Sequence, residues 1–214
     1  MGLIPNKNWD QKLKEDYFIA FLLKSKSTND SFFSFLNYIY NKIKPKFLAV
    51  SGINLNTSGK IFERLGKVNL FSHYYIRNPI LKLKISKNLD NSKTRINSNN
   101  TLELTLKTTN KIIKLPKSNC YPIKSKIFYI KKYLKNLYYK YFVMNFYNGY
   151  KLEFFFICRK IEIEKYNTKI LRIIDFHGTL PKKGCLVNAL TNYLIENNIE
   201  YIDILCHGFN NNTL

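Results

Sequence analysis

Hydrophobic and polar residues alternate in blocks along residues 1–82, and these blocks predict the order strand, helix, strand, helix, strand. Continuous apolar runs of strand length predict the strands, whereas apolar residues spaced three and four apart predict the first helix. Asp30 or Ser31 can cap this helix, and Thr57 or Ser58 can cap a second one that Gly66 ends. The predicted strands cover residues 17–23, 46–53 and 73–76, and the predicted helices begin near residues 31 and 58.

A polar segment in the middle of the chain predicts a division into two modules. Residues 87–100 are almost free of large apolar side chains and dense in Asn, Ser and Lys, which is typical of a solvated loop. The alternating Leu102, Leu104 and Leu106 then predict one half-buried strand. We therefore expect a first module at residues 1–82, a polar linker at 83–119 with this candidate strand, and a second module at 120–214.

The second module repeats part of the first pattern. The Asn148–Gly149 pair between two strand-like runs is a strong signal for a β-hairpin. Helical spacing is present at residues 124–139 and 185–196, and strand patterns at 140–148, 151–164, 169–176 and 200–205. The two modules therefore resemble diverged and incomplete copies of one another.

Composition excludes several classes of protein. Hydrophobic residues make up 45% and aromatic residues 15% of the chain, which excludes a disordered protein. The start, MGLIPNKNWD, lacks a signal-peptide core, and no apolar run approaches the roughly 18–20 residues of a membrane span, so we expect a cytoplasmic protein. Cys120, Cys158, Cys185 and Cys206 lack paired spacing, which predicts buried or half-buried thiols and no metal site.

The charge balance points to a polyanionic partner. The chain carries 35 Lys and Arg against 14 Asp and Glu, a net charge of +21. Only five of the basic residues are arginine, however, and a composition rich in Lys, Asn, Ile, Tyr and Phe is also typical of A/T-biased coding. The tyrosines and lysines of residues 126–141 suit stacking on nucleic-acid bases, and they equally suit an amphipathic helix with a solvated lysine face.

Two segments carry a resemblance to a known family. Residues 50–66 read VSGINLNTSGKIFERLG, in which a strand is followed by Asn54 and a short helix, and residues 170–178 read ILRIIDFHG. Together with Gly2–Pro5 and Tyr74–Ile76, they resemble the GNAT superfamily of acyl-CoA-dependent N-acyltransferases, especially GNAT-type proteins of bacterial surface-polysaccharide synthesis. The resemblance implies an α/β fold of two GNAT-like modules, with mixed, mostly antiparallel sheets flanked by helices. Because both modules lack pieces of that fold, the chain is expected to be a truncated product or to share one composite sheet.

The resemblance also implies where acetyl-CoA or another acyl-CoA would bind. In that fold the pantetheine arm lies where two neighbouring strands separate, and the pyrophosphate lies at a helix N-terminus, whose dipole and free N–H groups favour anions. The matching turn of the first module, residues 24–30, contains no glycine. The turn of the second module does, and its Lys182, Lys183, Gly184 and Cys185 are the predicted cofactor-binding residues.

Catalysis in such a fold requires a base for the attacking amine and often a tyrosine that protonates the leaving thiolate. The position that resembles this tyrosine is Phe62, which has no hydroxyl group. Asp175 and His177 are the predicted catalytic residues, because alternate positions of a strand share a face and both precede the lysine-rich turn. Asn54 and Asn56 either bind backbone at the separated strands or form the turn into the short helix.

The resulting expectation is transfer of an acyl group from acyl-CoA to the amine of an amino sugar, nucleotide-linked or free, or of a related small molecule. The substrate class comes from the resemblance alone. Two alternatives stay open: a non-catalytic basic protein that binds nucleic acid, and a degenerate GNAT fold that acts as a partner-binding subunit. The glycine-free first turn and Phe62 favour the latter.

Overall fold

A computed structural model describes residues 2–20, 30–50, 54, 56, 59–66, 68–85, 104–181 and 183–207. The chain forms two compact units, Met1–Asn69 and Leu70–Leu214. Both combine helices with a mixed sheet, so the α/β class is confirmed. No helix in the described ranges is long and apolar enough to cross a bilayer.

The first unit contains a three-stranded sheet. Strands β1 (Gly2–Pro5) and β2 (Asp16–Ala20) are antiparallel, and β2 and β3 (Phe47–Val50) are parallel. Helix α1 (Asp30–Tyr38) connects β2 to β3 and continues as a π-helical turn, and α2 (Lys60–Leu65) follows β3. A small buried cluster holds these elements together through Leu36, Ile39 and Phe62.

The second unit contains a six-stranded sheet. Its strands are β4 (Ser72–Arg77), β5 (Thr105–Thr109), β6 (Phe142–Asn148), β7 (Lys151–Ile163), β8 (Thr168–Gly178) and β9 (Tyr201–Cys206). The spatial order is β4-β9-β8-β7-β6-β5. Only β8 and β9 are parallel; the other neighbours are antiparallel.

Local sequence explains the central hairpin and the one parallel pair. Strands β6 and β7 join at Gly149, whose φ of 58° a glycine adopts without strain, as the Asn–Gly pair predicted. Helix α4 (Lys183–Glu196) connects β8 to β9, and parallel neighbours need such a crossover.

The two faces of this sheet are covered by different helices. On one face, Leu186, Leu190 and Leu194 of α4 pack with Phe156 and Leu171 in the main core. Burying such a side chain contributes about 1.5–3 kcal/mol. On the other face lies α3 (Lys126–Tyr129), which continues as a π-helical turn from Ile130 to Leu134. Its buried aromatic side chains contact Phe155 and His177 of β7 and β8.

The sequence pattern placed the strand at residues 73–76 in the first module. In the structure this strand, β4, belongs to the second unit. It pairs along its length with β9, from Ser72 opposite Cys206 to Arg77 opposite Tyr201. The side chain of Asn78 then donates to the carbonyls of Leu194 and Ile199, both at 3.0 Å. Since the pairing partner lies some 130 residues further along the chain, no local pattern could identify it.

The segment predicted as a linker is also part of the second unit where it is described. Strand β5 begins at Thr105, directly after the buried Leu104, and completes one edge of the sheet. Residues 116–120 then contact the end of β8, through the Pro116 carbonyl and the Ser118 hydroxyl. The division between the units therefore falls at residue 69, earlier than predicted. Residues 87–100 lie outside the described ranges.

Other predicted elements are confirmed with shifted ends. The helix predicted over residues 124–139 covers Lys126–Leu134, and the last strand is Tyr201–Cys206. Three cysteines are buried and Cys120 is half-buried, as predicted. In the first unit, α2 ends at Gly66, whose N–H donates to the Phe62 carbonyl at 3.1 Å.

Candidate functional site

Strands β8 and β9 stop pairing before either strand ends. Their last paired residues are Ile173 and Ile204, although β8 continues to Gly178 and β9 to Cys206. Beyond this point β8 stays paired with β7, as far as Gly178 opposite Phe154, whereas β9 stays paired with β4. These two neighbouring strands therefore separate at one end of the sheet, and we call this opening the β8–β9 gap.

A β-bulge in β8 marks the start of the gap. Cys158 lies opposite Ile173, but the next residue of β7, Ile157, lies opposite Asp175, so Ile174 is an extra residue. A bulge bends its strand and increases the local twist. The bend coincides with the last residue that β8 pairs with β9, and it accounts for the separation.

Gly178 fixes the end of β8 against β7. Its φ is 121°, and a Cβ atom there would lie 2.5 Å from the Glu153 carbonyl oxygen and 2.5 Å from the Phe154 Cβ. Only glycine fits so close an approach. The chain then turns and enters α4 at Lys183, so the N-terminus of a 14-residue helix follows the open end of β8 after four residues.

Of the predicted cofactor-binding residues, Lys183, Gly184 and Cys185 lie in the first turn of α4. Gly184 and Cys185 are buried, and Cys185 belongs to the main core. Lys182 lies outside the described residues. The first turn of α4 contains no acidic residue, so no carboxylate opposes the attraction of the helix dipole for an anion.

Asp175 and His177 share a face of β8, as predicted, and this face is covered by α3. The Asp175 carboxylate accepts from Lys124 Nζ at 2.6 and 2.8 Å, from the Tyr133 hydroxyl at 2.8 Å, and from the Phe176 N–H at 2.8 Å. These charge-assisted bonds hold α3 and the segment before it on the end of β8.

His177 is buried, with only 4% of its surface exposed, and both ring nitrogens contact protein atoms. Nε2 lies 3.1 Å from the Pro116 carbonyl oxygen, and Nδ1 lies 3.1 Å from the Tyr129 hydroxyl. Because a carbonyl only accepts, Nε2 carries the proton, and the Tyr129 hydroxyl lies between Nδ1 and the Phe176 carbonyl oxygen, to which it donates at 3.2 Å. Burial lowers the pKa of His177, whereas the Pro116 carbonyl and Asp175 act in the opposite direction, and the net shift is downward.

A second polar cluster on the same face of the sheet was not identified from the sequence. Asp203 of β9 accepts from Arg172 Nε at 3.0 Å and Nη2 at 2.8 Å, and it lies 3.1 Å from His73 Nε2. Its side chain is 3% exposed, whereas those of Arg172 and His73 are each 48% exposed. The strand pairing β4-β9-β8 brings these three residues together, so a residue-by-residue pattern could not find them.

The gap therefore has different chemistry on its two sides. The N-terminus of α4 lies on the core side, because Cys185 and Leu186 pack in the main core. Asp175, His177, Arg172 and Asp203 lie on the opposite side. A ligand that passes through the gap would contact both sides.

The structure describes two positions that the sequence analysis singled out in the first unit, Phe62 and the pair Asn54 and Asn56. Phe62 is buried in the small core, so it is a packing residue there. The Asn54 side chain accepts from the Asn56 N–H at 2.9 Å, which is the turn alternative for this pair. The turn at residues 24–29 lies outside the described ranges.

A separate cleft of about 720 Å³ lies at the end of β5 and the start of β6, beside β7. It is lined by Lys160, Glu162 and Tyr193 among others. Within the described ranges, no three His, Cys, Asp or Glu side chains are grouped so that they could hold a metal ion.

Comparisons of the chain with protein-family models, with curated proteins and with solved structures found no match. A function has to be inferred from the gap and from the residues around it.

Proposed function

We propose that the chain is a GNAT-type N-acyltransferase that moves an acyl group from acyl-CoA to the amine of an amino sugar or a related small molecule. The observation that carries this proposal is the β8–β9 gap, which begins at the Ile174 bulge and is followed by the N-terminus of α4. The element order of the second unit, with antiparallel strands, a helix and then a parallel strand, is consistent with one GNAT-like module. The first unit is proposed as a diverged relative of it.

The gap has the properties that an acyl-CoA requires. Where two strands separate, an extended pantetheine arm with its amide groups has backbone on both sides to bind. The pyrophosphate would be held at the start of α4, where the helix dipole favours anionic oxygens and where the sequence has the basic pair Lys182 and Lys183. The bound thioester would supply the activated acyl group.

Within this proposal, Asp175 and His177 stay predicted site residues. Their polar atoms are occupied by Lys124, Tyr133, Tyr129 and Pro116, which favours a role in holding the end of β8 beside the gap. The amino-sugar acceptor rests on the sequence resemblance.

Acetyl-CoA titration by calorimetry tests the proposal. We expect the wild-type chain to bind with a Kd between about 1 μM and 1 mM, the range in which enzymes bind such substrates. The double variant Lys182→Glu/Lys183→Glu should lose at least about tenfold in affinity, because it places two negative charges at the phosphate site.

The matched control is Lys131→Glu/Lys135→Glu, which makes the same change in charge at exposed lysines of the α3 region. It should bind acetyl-CoA like the wild type. Absence of binding by the wild type, or equal affinity of the two double variants, would contradict the proposal.

The nucleic-acid alternative receives less support from the α3 region. Tyr129 and Tyr133 are buried and contact the sheet, so they cannot stack on bases. Tyr138 is 87% exposed, but it lies after the helix. Tight binding of single-stranded RNA with a steep salt dependence, weakened in the Lys131→Glu/Lys135→Glu variant, would favour this alternative. Binding of neither ligand would favour a partner-binding subunit.

A further inference from the structure

The polar cluster of His73, Asp203 and Arg172 is built around one buried carboxylate. Asp203 accepts two short bonds from the Arg172 guanidinium, which fixes its orientation. The His73 Nε2 lies 3.1 Å from the Asp203 Oδ2. Since an ionised carboxylate only accepts, Nε2 carries a proton and the neutral ring has its lone pair on Nδ1.

The free nitrogen of this imidazole is available to a ligand. His73 is 48% exposed, and in the described part of the chain Nδ1 has no hydrogen-bond partner. The other two histidines differ. Both nitrogens of His177 are occupied in the interior, and Nδ1 of His207 lies 3.0 Å from the Leu70 carbonyl oxygen.

The cluster lies where the gap begins. Arg172 and Asp203 are opposite each other in the pair that precedes Ile173 and Ile204, the last paired residues of β8 and β9. His73 lies opposite Leu205, which is one residue beyond Ile204 toward the open end of the gap. The side chains of the cluster are on the face away from α4, so the gap has the N-terminus of α4 on one side and an oriented imidazole on the other.

We propose that His73 is the general base of the acyl transfer and that Asp203, held by Arg172, is the residue that positions it. This inference rests on the proposed function. Nδ1 accepts a proton from the acceptor amine as the amine nitrogen attacks the thioester carbonyl carbon. An N–C bond forms, the C–S bond breaks, the thiolate of CoA takes a proton from solvent, and the imidazolium returns its proton to solvent. A neutral imidazole oriented by a carboxylate is a common arrangement for this task.

The first test is turnover, followed as release of the CoA thiol with glucosamine and with a nucleotide-linked amino sugar as acceptors. The His73→Gln variant should lower kcat by about 10²- to 10⁴-fold, the usual contribution of a general base. Its Kd for acetyl-CoA should stay within about twofold of the wild type, because the base does not bind the cofactor phosphates. The matched control, His207→Gln, should keep both values.

The second test does not depend on finding the acceptor. In ¹⁵N NMR spectra of the imidazole groups, acetyl-CoA should shift the ring nitrogens of His73 and leave those of His207 unmoved. The Asp203→Asn variant should convert His73 from the single Nε2-protonated tautomer to a mixture, which a purely structural role of Asp203 would not predict.

The outcomes separate the two proposals. No binding of acetyl-CoA by the wild type would overturn the proposed function and this inference with it. Binding of acetyl-CoA with unmoved His73 resonances, or a His73→Gln variant with unchanged kcat, would overturn the role of His73 alone.

Discussion

At the scale of single residues, two carboxylates beside the gap already accept hydrogen bonds from neighbouring side chains. Asp175 accepts from a lysine, a tyrosine and a backbone N–H, and Asp203 accepts from an arginine beside a histidine. Removing one partner of a buried charged group costs more than forming the pair gains, because the other partner loses its solvation without compensation. These hydrogen bonds therefore fix the orientations of the Asp175 and Asp203 carboxylates, one after the bulge in β8 and the other on β9 opposite Arg172.

Lys132 carries the clearest electrostatic cost in the second unit. Its Nζ lies 4.9 Å from the centre of the Phe128 ring, and burial lowers its pKa to about 8, with Asp175 acting in the opposite direction. In the unfolded chain a lysine titrates near 10.5. Between these two values the unfolded state binds more protons at this group, so the contribution of Lys132 to the free energy of unfolding should rise with pH from about 8 to 10.5.

We therefore expect Lys132→Met to stabilise the protein by about 1–2 kcal/mol at pH 7, because it removes a partly buried charge and keeps a flexible apolar side chain on the rings. The stabilisation relative to the wild type should become smaller as the pH rises above 8, where Lys132 of the wild type loses its charge. Urea unfolding at pH 7, 9 and 10.5 measures both effects. Lys131→Met, at an exposed neighbour on the same helix, is the control and should change little. A destabilised Lys132→Met variant with the same pH dependence as the wild type would contradict this account.

At the scale of elements, the bulge and the gap are one feature. Ile174 is the extra residue, so its deletion would leave Ile173 and Asp175 on the faces that they occupy now. The straightened strand could then continue its parallel pairing, with Asp175 level with Leu205 and Phe176 level with Cys206. The facing of the side chains agrees, since neighbours in a sheet share a face.

We expect the variant that lacks Ile174 to fold and to lose acetyl-CoA binding by at least about tenfold, because the extra strand pairing would close the gap. Circular dichroism with a thermal scan measures folding, and calorimetry measures binding. Deletion of Lys165 from the connection between β7 and β8 is the control, since it shortens the chain away from the gap. A folded variant without Ile174 that binds acetyl-CoA as tightly as the wild type would separate the bulge from the site.

Sequence patterns predicted elements with strong local signals and missed features that depend on pairing. The hairpin at Gly149 and the crossover helix α4 follow from turn chemistry and spacing. The bulge gave no such signal, because Ile173 and Ile174 are both apolar and either can be read as a core residue. The contact of His73 with Asp203 spans 130 residues and depends on an edge strand that the pattern assigned to the other module. Asp175 and His177 were predicted because strand alternation is local, but their partners on α3 come from packing.

At the scale of the whole molecule, every described residue of the proposed site lies in the second unit, from β4 to β9. Units of this size with their own core commonly fold alone. We therefore expect a fragment of residues 70–214 to show cooperative thermal unfolding and to bind acetyl-CoA within about threefold of the affinity of the full chain. Calorimetry on both chains compares the affinities, and a folded fragment without binding would show that the first unit contributes to the site.

The net charge of +21 acts on the molecule as a whole. Like charges repel across the surface, and this repulsion opposes the compact state until salt screens it. The same field increases the rate at which anionic molecules, nucleotide cofactors and nucleic acids alike, reach the surface. Binding assays at one low salt concentration would therefore favour any polyanion. Because the two double-lysine variants change the net charge equally, a difference between their affinities identifies a specific binding site.

The close approach of β7 and β8 at Gly178 also limits how this protein can change. Any side chain at this position would displace Phe154 and the carbonyl group of Glu153, and with them the last paired residues beside the gap. In a chain with many surface lysines and asparagines that other residues could replace, this codon has almost no acceptable alternative. Mutational drift would be tolerated over much of the surface, and here it would be removed by selection for a folded protein.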